Sequence, residues 1–409
     1  MPFNALGLSP IFNAPLLKNG FTHPTPIQRK VIPLALENKD IIALAQTGSG
    51  KTASFVLPIL HALSSEPARK KPTLKALVLT PTRELAVQVA EAFSLFGSTL
   101  AQPPRVVSII GGEGLGEQMR LVQQGCDVVV ATPGRLLEIL QKGQISLHHV
   151  KTLVLDEADK MVSLGFTEAL ESLLHVLPSA RQNLLFSASY PPSMQTLART
   201  ISETFLWVSE ESTPTVEHLI QRAFKVDAHN RGPLLRHLLT THAWKHVLVF
   251  MANKRAADNI AAKFYKHGFN TTSFHGNLSQ EERTKTLEAF KNHKVSLLFA
   301  TDIAARGLDI KGIECVVNFD LPRSTEDYIH RIGRTARAGH GGESITFVTP
   351  ENHAHFALIQ KRCQTAMVLE SISGFESTTP NASQPKGQAP LKGKRKSKKD
   401  KLREKAKEA

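Results

Sequence analysis

The stretch Ala45-Gln46-Thr47-Gly48-Ser49-Gly50-Lys51-Thr52 joins a strand-like run to a helix-like one. Small side chains at Thr47, Gly48, Ser49 and Gly50 let backbone N–H groups wrap phosphate oxygens. The Lys51 ammonium can reach β- and γ-phosphates, and the Thr52 hydroxyl can ligate Mg²⁺. The general pattern has glycine first, where this chain has Ala45. A second cluster, Asp156-Glu157-Ala158-Asp159, follows the apolar run Leu153-Val154-Leu155. A carboxylate closing a buried strand beside a phosphate loop suits the Mg²⁺-holding role, which falls to Asp156. Its neighbour Glu157 can orient or deprotonate an attacking water. Together these residues describe hydrolysis of a nucleoside triphosphate.

Groups so far apart in sequence need a fold that gathers them. Short β-branched runs alternate with longer amphipathic stretches, the pattern of parallel α/β folds. Strands are expected at 40–46, 74–80, 105–110, 127–131, 152–156 and 183–187, and again at 219–226, 246–251, 270–274, 296–300, 315–319 and 344–348. Polar or glycine-rich clusters follow these runs repeatedly. In an open parallel sheet all carboxyl ends face one crevice, so the clusters converge there. Two such series imply two sheet edges, with the active site between them.

Bulk properties bound the partners. The 409 residues suffice for two or three domains. No apolar run approaches the roughly 20 residues that span a bilayer, and the start lacks the basic and apolar regions of a secretory signal. Cys126, Cys315 and Cys363 lie far apart and read as buried thiols in a reducing cytoplasm. The 17 histidines show no zinc-type spacing. The net charge of +14 favours a polyanionic partner, and residues 381–409, with 11 Lys and Arg against 3 Asp and Glu, hold over half of the excess. From about Ser371 the composition turns to Ser, Thr, Pro, Gly and Lys, which cannot bury a core and is expected to be disordered when free.

Asp156-Glu157-Ala158-Asp159 spells the name of the DEAD-box RNA helicases, and residues 3–350 resemble that family with nearly every motif in order. Gly20-Phe21 and Pro24-Thr25-Pro26-Ile27-Gln28 resemble its Q motif, with Phe3 as the upstream aromatic. The resemblance implies that Gln28 reads the adenine edge and that an aromatic such as Phe21 stacks on the ring. Pro81-Thr82-Arg83, Gly111-Gly112 and Thr132-Pro133-Gly134-Arg135 resemble the family's RNA-backbone motifs. Their hydroxyls, bare amides and guanidinium groups suit phosphate and sugar oxygens. Ser187-Ala188-Ser189 stands where the family usually has Ser-Ala-Thr, a motif that couples ATP state to strand separation together with Asp159 and His330.

In the second half, Ala300 to Ile310 resembles motif V, which implies Asp309 at the ATP ribose, Gly307 at the nucleotide and Thr301 at RNA. His275-Gly276, with Gln280 and Arg283, and Phe250, with Asn253-Lys254-Arg255, resemble the looser motifs of the second domain, with His275 and Gly276 expected at RNA. His330-Arg331-Ile332-Gly333-Arg334-Thr335-Ala336-Arg337 resembles motif VI, with Ala336 at a position often Gly. Ser324 and Asp327 are read as a capping-box variant that opens a helix here. A helix continued through Gly333 would put His330, Arg334 and Arg337 on one face and aim both arginines at the γ-phosphate.

The expected molecule is an α/β protein of two tandem RecA-like parallel-sheet domains with a disordered basic tail. The divisions are 1–29 (Q-motif region), 30–208 (ATP-binding domain), 209–217 (linker), 218–370 (second helicase domain) and 371–409 (tail). The expected activity is ATP- and Mg²⁺-dependent separation of short RNA duplexes or remodelling of ribonucleoprotein. The setting would be ribosome assembly or RNA decay in the cytoplasm, with ribosomal precursors or RNA-decay proteins as partners. The chain would act as a monomer with no membrane role. An RNA clamp without turnover, a DNA helicase of the same superfamily and a P-loop kinase are the alternatives. Intact Lys51, Glu157, Arg334 and Arg337 argue for turnover, the Q-motif resemblance for RNA, and a second full α/β domain against a kinase.

Overall fold

In the computed structural model, residues 2–46, 48–66, 71–209, 219–305, 310, 312–336, 341–363 and 365–379 are described. Fourteen strands among them form two seven-stranded sheets. The first holds β1 (Ile41–Leu44), β2 (Ala76–Leu79), β3 (Val106–Ile109), β4 (Val128–Ala131), β5 (Thr152–Leu155), β6 (Gln182–Ser187) and β7 (Leu206–Ser209). The second holds β8 (Leu219–Lys225), β9 (Val247–Met251), β10 (Thr271–Phe274), β11 (Leu297–Thr301), β12 (Cys315–Asn318), β13 (Gly342–Val348) and β14 (Leu369–Glu370). The orders are β3-β4-β2-β5-β6-β1-β7 and β10-β11-β9-β12-β13-β8-β14. Adding seven to each strand of the first order gives the second. The halves therefore repeat in topology although no repeat is visible in their residues.

The strand pairings described are parallel. In the first sheet Val78 lies between Val130 and Val154. In the second, Val249 lies between Phe299 and Val317. Strands covered by helices on both faces become continuous apolar runs, and this made them legible in sequence. All twelve expected strands are present, with ends moved by one or two residues. The additional strands, β7 and β14, are edge strands. β7 buries only Val208, while Leu206 and Trp207 are exposed, so it carries no continuous apolar run. Ser209, assigned to the linker, instead closes β7 opposite Leu44. The rest of the linker, 210–217, lies outside the described residues.

The chain also stays packed beyond Ser371. Ile372 and Phe375 lie against the second domain's core, and Asp227 accepts hydrogen bonds from the Ser377 hydroxyl (2.6 Å) and the Thr378 N–H (3.0 Å). Two apolar anchors inside a polar stretch hold residues 371–379 to the domain, so the compositional change at Ser371 is not where packing stops. Cys126 and Cys315 are buried, as read, and burial pushes the Cys126 thiol up to about 12. No helix among the described residues is long and apolar enough to cross a membrane.

Candidate ATP and RNA sites

The phosphate loop leaves β1 and ends at Gly50, whose φ of +94° places it in the left-handed region open to glycine. A Cβ there would lie 2.4 Å from the Gln28 amide nitrogen, so the position is closed to a side chain on both counts. Gln28 donates to the Gly50 carbonyl (3.1 Å) while its oxygen accepts from the Thr25 N–H (2.9 Å), completing a capping box at the head of the helix Pro26–Leu36. The Q-motif helix is thereby tied to the phosphate loop. Phe3 is buried in the core, whereas Phe21 is half-buried and edge-on to Phe96 at 5.2 Å. Of the two aromatics, Phe21 is the one with surface left for a base.

Lys51 is buried and donates to the Ala45 carbonyl at 2.6 Å. Thr52 is half-buried in the next position, Gly48 is exposed and Ser49 is half-buried, while Thr47 lies outside the described residues. Across from them, burial pushes the Asp156 carboxyl up to about 7, with Glu157 and Asp159 adding to the rise and Lys51 opposing it. A buried carboxylate and a threonine hydroxyl on the same sheet edge are donors that a hard divalent cation satisfies. Asp156 and Thr52 therefore fit Mg²⁺. Glu157 sits at φ +52°, a strained conformation for a residue with a side chain. Its N–H donates to the Asp156 carboxylate at 3.0 Å.

Asp159 accepts from the Ser189 hydroxyl at 2.8 Å, and Ser187 donates to the Ser189 carbonyl at 2.7 Å. The hydroxyl shared by serine and threonine makes the link, and the methyl group that threonine would add takes no part in it.

The second domain meets this edge directly. Burial pushes His330 down to about 3; Lys160, Arg334 and Lys51 lower it further and Asp159 opposes them, so its ring is neutral near pH 7. Lys160 faces Asp327 at 3.7 Å across the cleft. Arg283 pairs with Glu84 at 2.6 Å, both almost fully buried, while it also donates to the His275 carbonyl and lies over the Phe274 ring.

The helix bearing His330 spans Thr325–Ile332 and stops at Gly333, so the expected continuation through Gly333, which would carry Arg334 on the same helical face as His330, does not form. Ser324 caps it by accepting from the Asp327 N–H, and its hydroxyl turns to the Asp327 carboxylate. A turn through residues 333–336 brings Arg334 back, buried, with its Nε donating to the His330 carbonyl at 3.2 Å. Ala336 adopts φ +53°, which accounts for the frequent glycine at that place in the family pattern. Arg337, Gly307 and Asp309 lie outside the described residues.

Arg331 was missed as a site residue. It grips Asp302 with Nε and Nη2 (2.6 and 2.7 Å), and Nη1 reaches Asn318 and the Asp320 carbonyl. Among neighbouring arginines, sequence spacing does not say which one turns inward.

The RNA-type motifs also gather. Arg83 lies over Gly111 and Gly112, where a Cβ on Gly112 would fall 2.0 Å from its guanidinium. Burial and the nearby Arg283 lower the Arg83 pKa. Arg135 donates to the Glu113 carbonyl at 3.2 Å. Thr82 caps the helix Arg83–Gly97, and the Pro81 and Thr132 side chains are buried beside it. In the second domain Thr301 closes β11 and Gly276 is exposed. The His275 ring is instead buried against Asp258 at 2.7 Å, which leaves backbone, not imidazole, at that edge.

Two parallel sheets with facing carboxyl edges, a phosphate loop on one and arginines on the other, define a two-domain nucleotide hydrolase whose site forms by domain contact. Residues 25–197 match the DEAD/DEAH box helicase family and residues 231–339 the helicase conserved C-terminal domain. The chain is 40% identical over 366 residues to the DEAD-box ATP-dependent RNA helicase CshA of Geobacillus kaustophilus, covering 89% of this chain and 77% of that one. It is 39% identical over 371 residues to RhpA of Helicobacter pylori, covering 90% and 74%. Saccharomyces cerevisiae Dbp5 bound to RNA and ADP BeF3 aligns with TM-score 0.80 and 28% identity over 90% of this chain and 95% of that one. The chain belongs to the DEAD-box ATP-dependent RNA helicases, and its two sheets are the tandem RecA-like domains of that family.

Arg331→Ala would strand Asp302 and two further acceptors, so unfolding in denaturant should show a loss of about 3 kcal/mol. A variant of unchanged stability with no ATPase would make Arg331 a chemical rather than a structural group. The raised Asp156 pKa sets a pH dependence. Below about 7 the carboxyl is increasingly protonated, and a cation must displace that proton. The Mg²⁺ concentration for half-maximal ATPase should therefore rise as pH falls from 8 to 6. A flat profile would remove Asp156 from the cation site.

Proposed function

We propose that this enzyme couples ATP hydrolysis to closure of its two domains on RNA, separating short duplexes locally or remodelling ribonucleoprotein. The observation that carries the reading is His330 of the second domain seated among Lys51, Asp159 and Lys160 of the first. The ATP site is complete only when the edges meet.

In this reading Phe21 and Gln28 recognise adenine. The loop from Thr47 to Gly50 and Lys51 hold the phosphates, and Thr52 and Asp156 would hold Mg²⁺, which would supply positive charge to the phosphates. Glu157 orients the attacking water. Arg334 and Arg337 neutralise charge that develops on the γ-phosphoryl group, and Gly307 and Asp309 take the ribose. Pro81, Thr82, Arg83, Gly111, Gly112, Thr132, Arg135, Gly276 and Thr301 form a track for RNA backbone, with His275 as its buried support. Contacts to phosphates and 2′-hydroxyls favour RNA without reading sequence. The link Asp159–Ser189–Ser187 passes the nucleotide state to that track. The basic residues of 381–409 would tether RNA electrostatically. Ribosome assembly or RNA decay in the cytoplasm is the setting this chemistry serves, with the protein acting as a monomer.

Glu157→Gln tests the reading. The variant should bind ATP and RNA, hydrolyse at a rate reduced by roughly 10² or more, and accumulate as a closed complex. RNA should stimulate the unmodified enzyme and DNA of the same sequence should not. Near-normal turnover in Glu157→Gln would remove Glu157 from its role, and equal stimulation by DNA would favour the DNA-helicase alternative.

A further inference from the structure

The helix Lys254–Lys266 starts at the carboxyl end of β9, on the edge assigned to RNA, and runs back along the flank of the second domain. Thirteen residues carry it about 20 Å from that edge. Its inner face is fixed by Ala257, Ala261 and Phe264, which lie in the core. At 3.6 residues per turn the opposite stripe is Arg255, Asn259, Ala262 and Lys266, flanked by Lys263 on one side and Tyr265 on the other. All six are exposed, Tyr265 at 69%.

Cations outnumber acids on this face. Its only acidic residue, Asp258, is engaged by the Ser273 hydroxyl (2.6 Å) and the His275 ring (2.7 Å). The helix Gln280–Lys291, on the opposite face of the sheet, mixes exposed Glu281, Glu282 and Glu288 with Lys285 and Lys291, so the basic excess is not general to the domain. Lys254 joins the stripe to the RNA edge, since its ammonium donates to Asn277 Oδ1 at 2.7 Å in the loop that follows Gly276. A solvent-facing helix has no packing reason to hold an exposed tyrosine at the border of a basic stripe, whereas a nucleic-acid strand finds both a phosphate partner and a stacking face there.

We propose that the face bearing Arg255, Lys263, Tyr265 and Lys266 is a second RNA-backbone surface, continuous with the crevice, that holds the RNA strand where it leaves the second domain. The inference rests on RNA occupying the facing carboxyl edges. It adds a surface outside them, whose contribution depends on RNA length.

The test uses the full chain with Lys263→Glu and Lys266→Glu combined. RNA-stimulated ATPase is titrated with a single-stranded RNA just long enough to fill the crevice and with a longer RNA that extends it. The half-saturating concentration of the longer RNA should rise by roughly tenfold at low salt, and its log–log salt slope should fall by about 1.4, the value for two lost phosphate contacts on a single strand. The short-RNA curve and the rate at saturation should not move. Tyr265→Ala should weaken the longer RNA with its salt slope unchanged. Coincident long-RNA curves for the variant and the unmodified chain would overturn the proposal, and leave an acidic protein segment as the other occupant for this face. An equal shift with both RNAs would also overturn it, by placing the lysines in the crevice. If neither RNA stimulates either protein, the RNA reading itself fails.

Discussion

The rest of this structure depends on closing a gap between two sheets. The phosphate loop and the carboxylates Asp156 and Glu157 belong to one edge, while His330 and Arg334 belong to the other. The edges register through ion pairs that span the domains. Glu84 and Arg283 meet at 2.6 Å with both side chains nearly buried, and Lys160 and Asp327 meet less closely at 3.7 Å. Burying such pairs costs desolvation nearly as large as the attraction gained. Closure built on them is therefore close to balance, so bound ligands can control it. Arg283 also explains how RNA enters that balance. It lies within electrostatic reach of Arg83 and lowers its pKa, and a phosphate between the two would relieve that repulsion.

Each edge is prepared before the gap closes. Gln28 spends both ends of its amide inside the chain, on Thr25 and on Gly50, so the helix that would sense adenine is already attached to the loop that would hold its phosphates. Glu157 is held at positive φ, and burial raises the Asp156 pKa despite the nearby Lys51. These are local costs at the nucleotide edge, placed where ATP and its cation would offset them. On the opposite side Arg331 is fully occupied with Asp302, Asn318 and Asp320, and this rigid anchor fixes where the turn carrying Arg334 emerges.

Residues whose chemistry is local were legible in sequence. The phosphate loop, the paired carboxylates and the strands they follow were readable because a strand buried on both faces writes a continuous apolar run. Edge strand β7 was not readable, because Trp207 and Leu206 face solvent. The helix end at Gly333 escaped because helical spacing continued past it, although the chain there turns through a left-handed Ala336. Ile372 and Phe375 were passed over because two anchors do not alter the composition of a polar stretch. Partners distant in sequence were the least readable. Glu84 and Arg283 each sit in a recognisable motif, yet nothing in either motif names the other. The inward turn of His275 toward Asp258 likewise depends on a neighbour on another element.

The cross-domain pair Glu84–Arg283 is proposed to register the two edges on closure. Its most direct test places one fluorophore on each domain and measures energy transfer with RNA and a non-hydrolysable ATP analogue. Glu84→Arg and Arg283→Glu are made separately and together. Each single reversal should reduce the closed population, and the double reversal should restore much of it, because the opposite charges meet again. If both single variants close as fully as the unmodified chain, or if the double variant is no better than the singles, the pair does not register the domains and the account is contradicted.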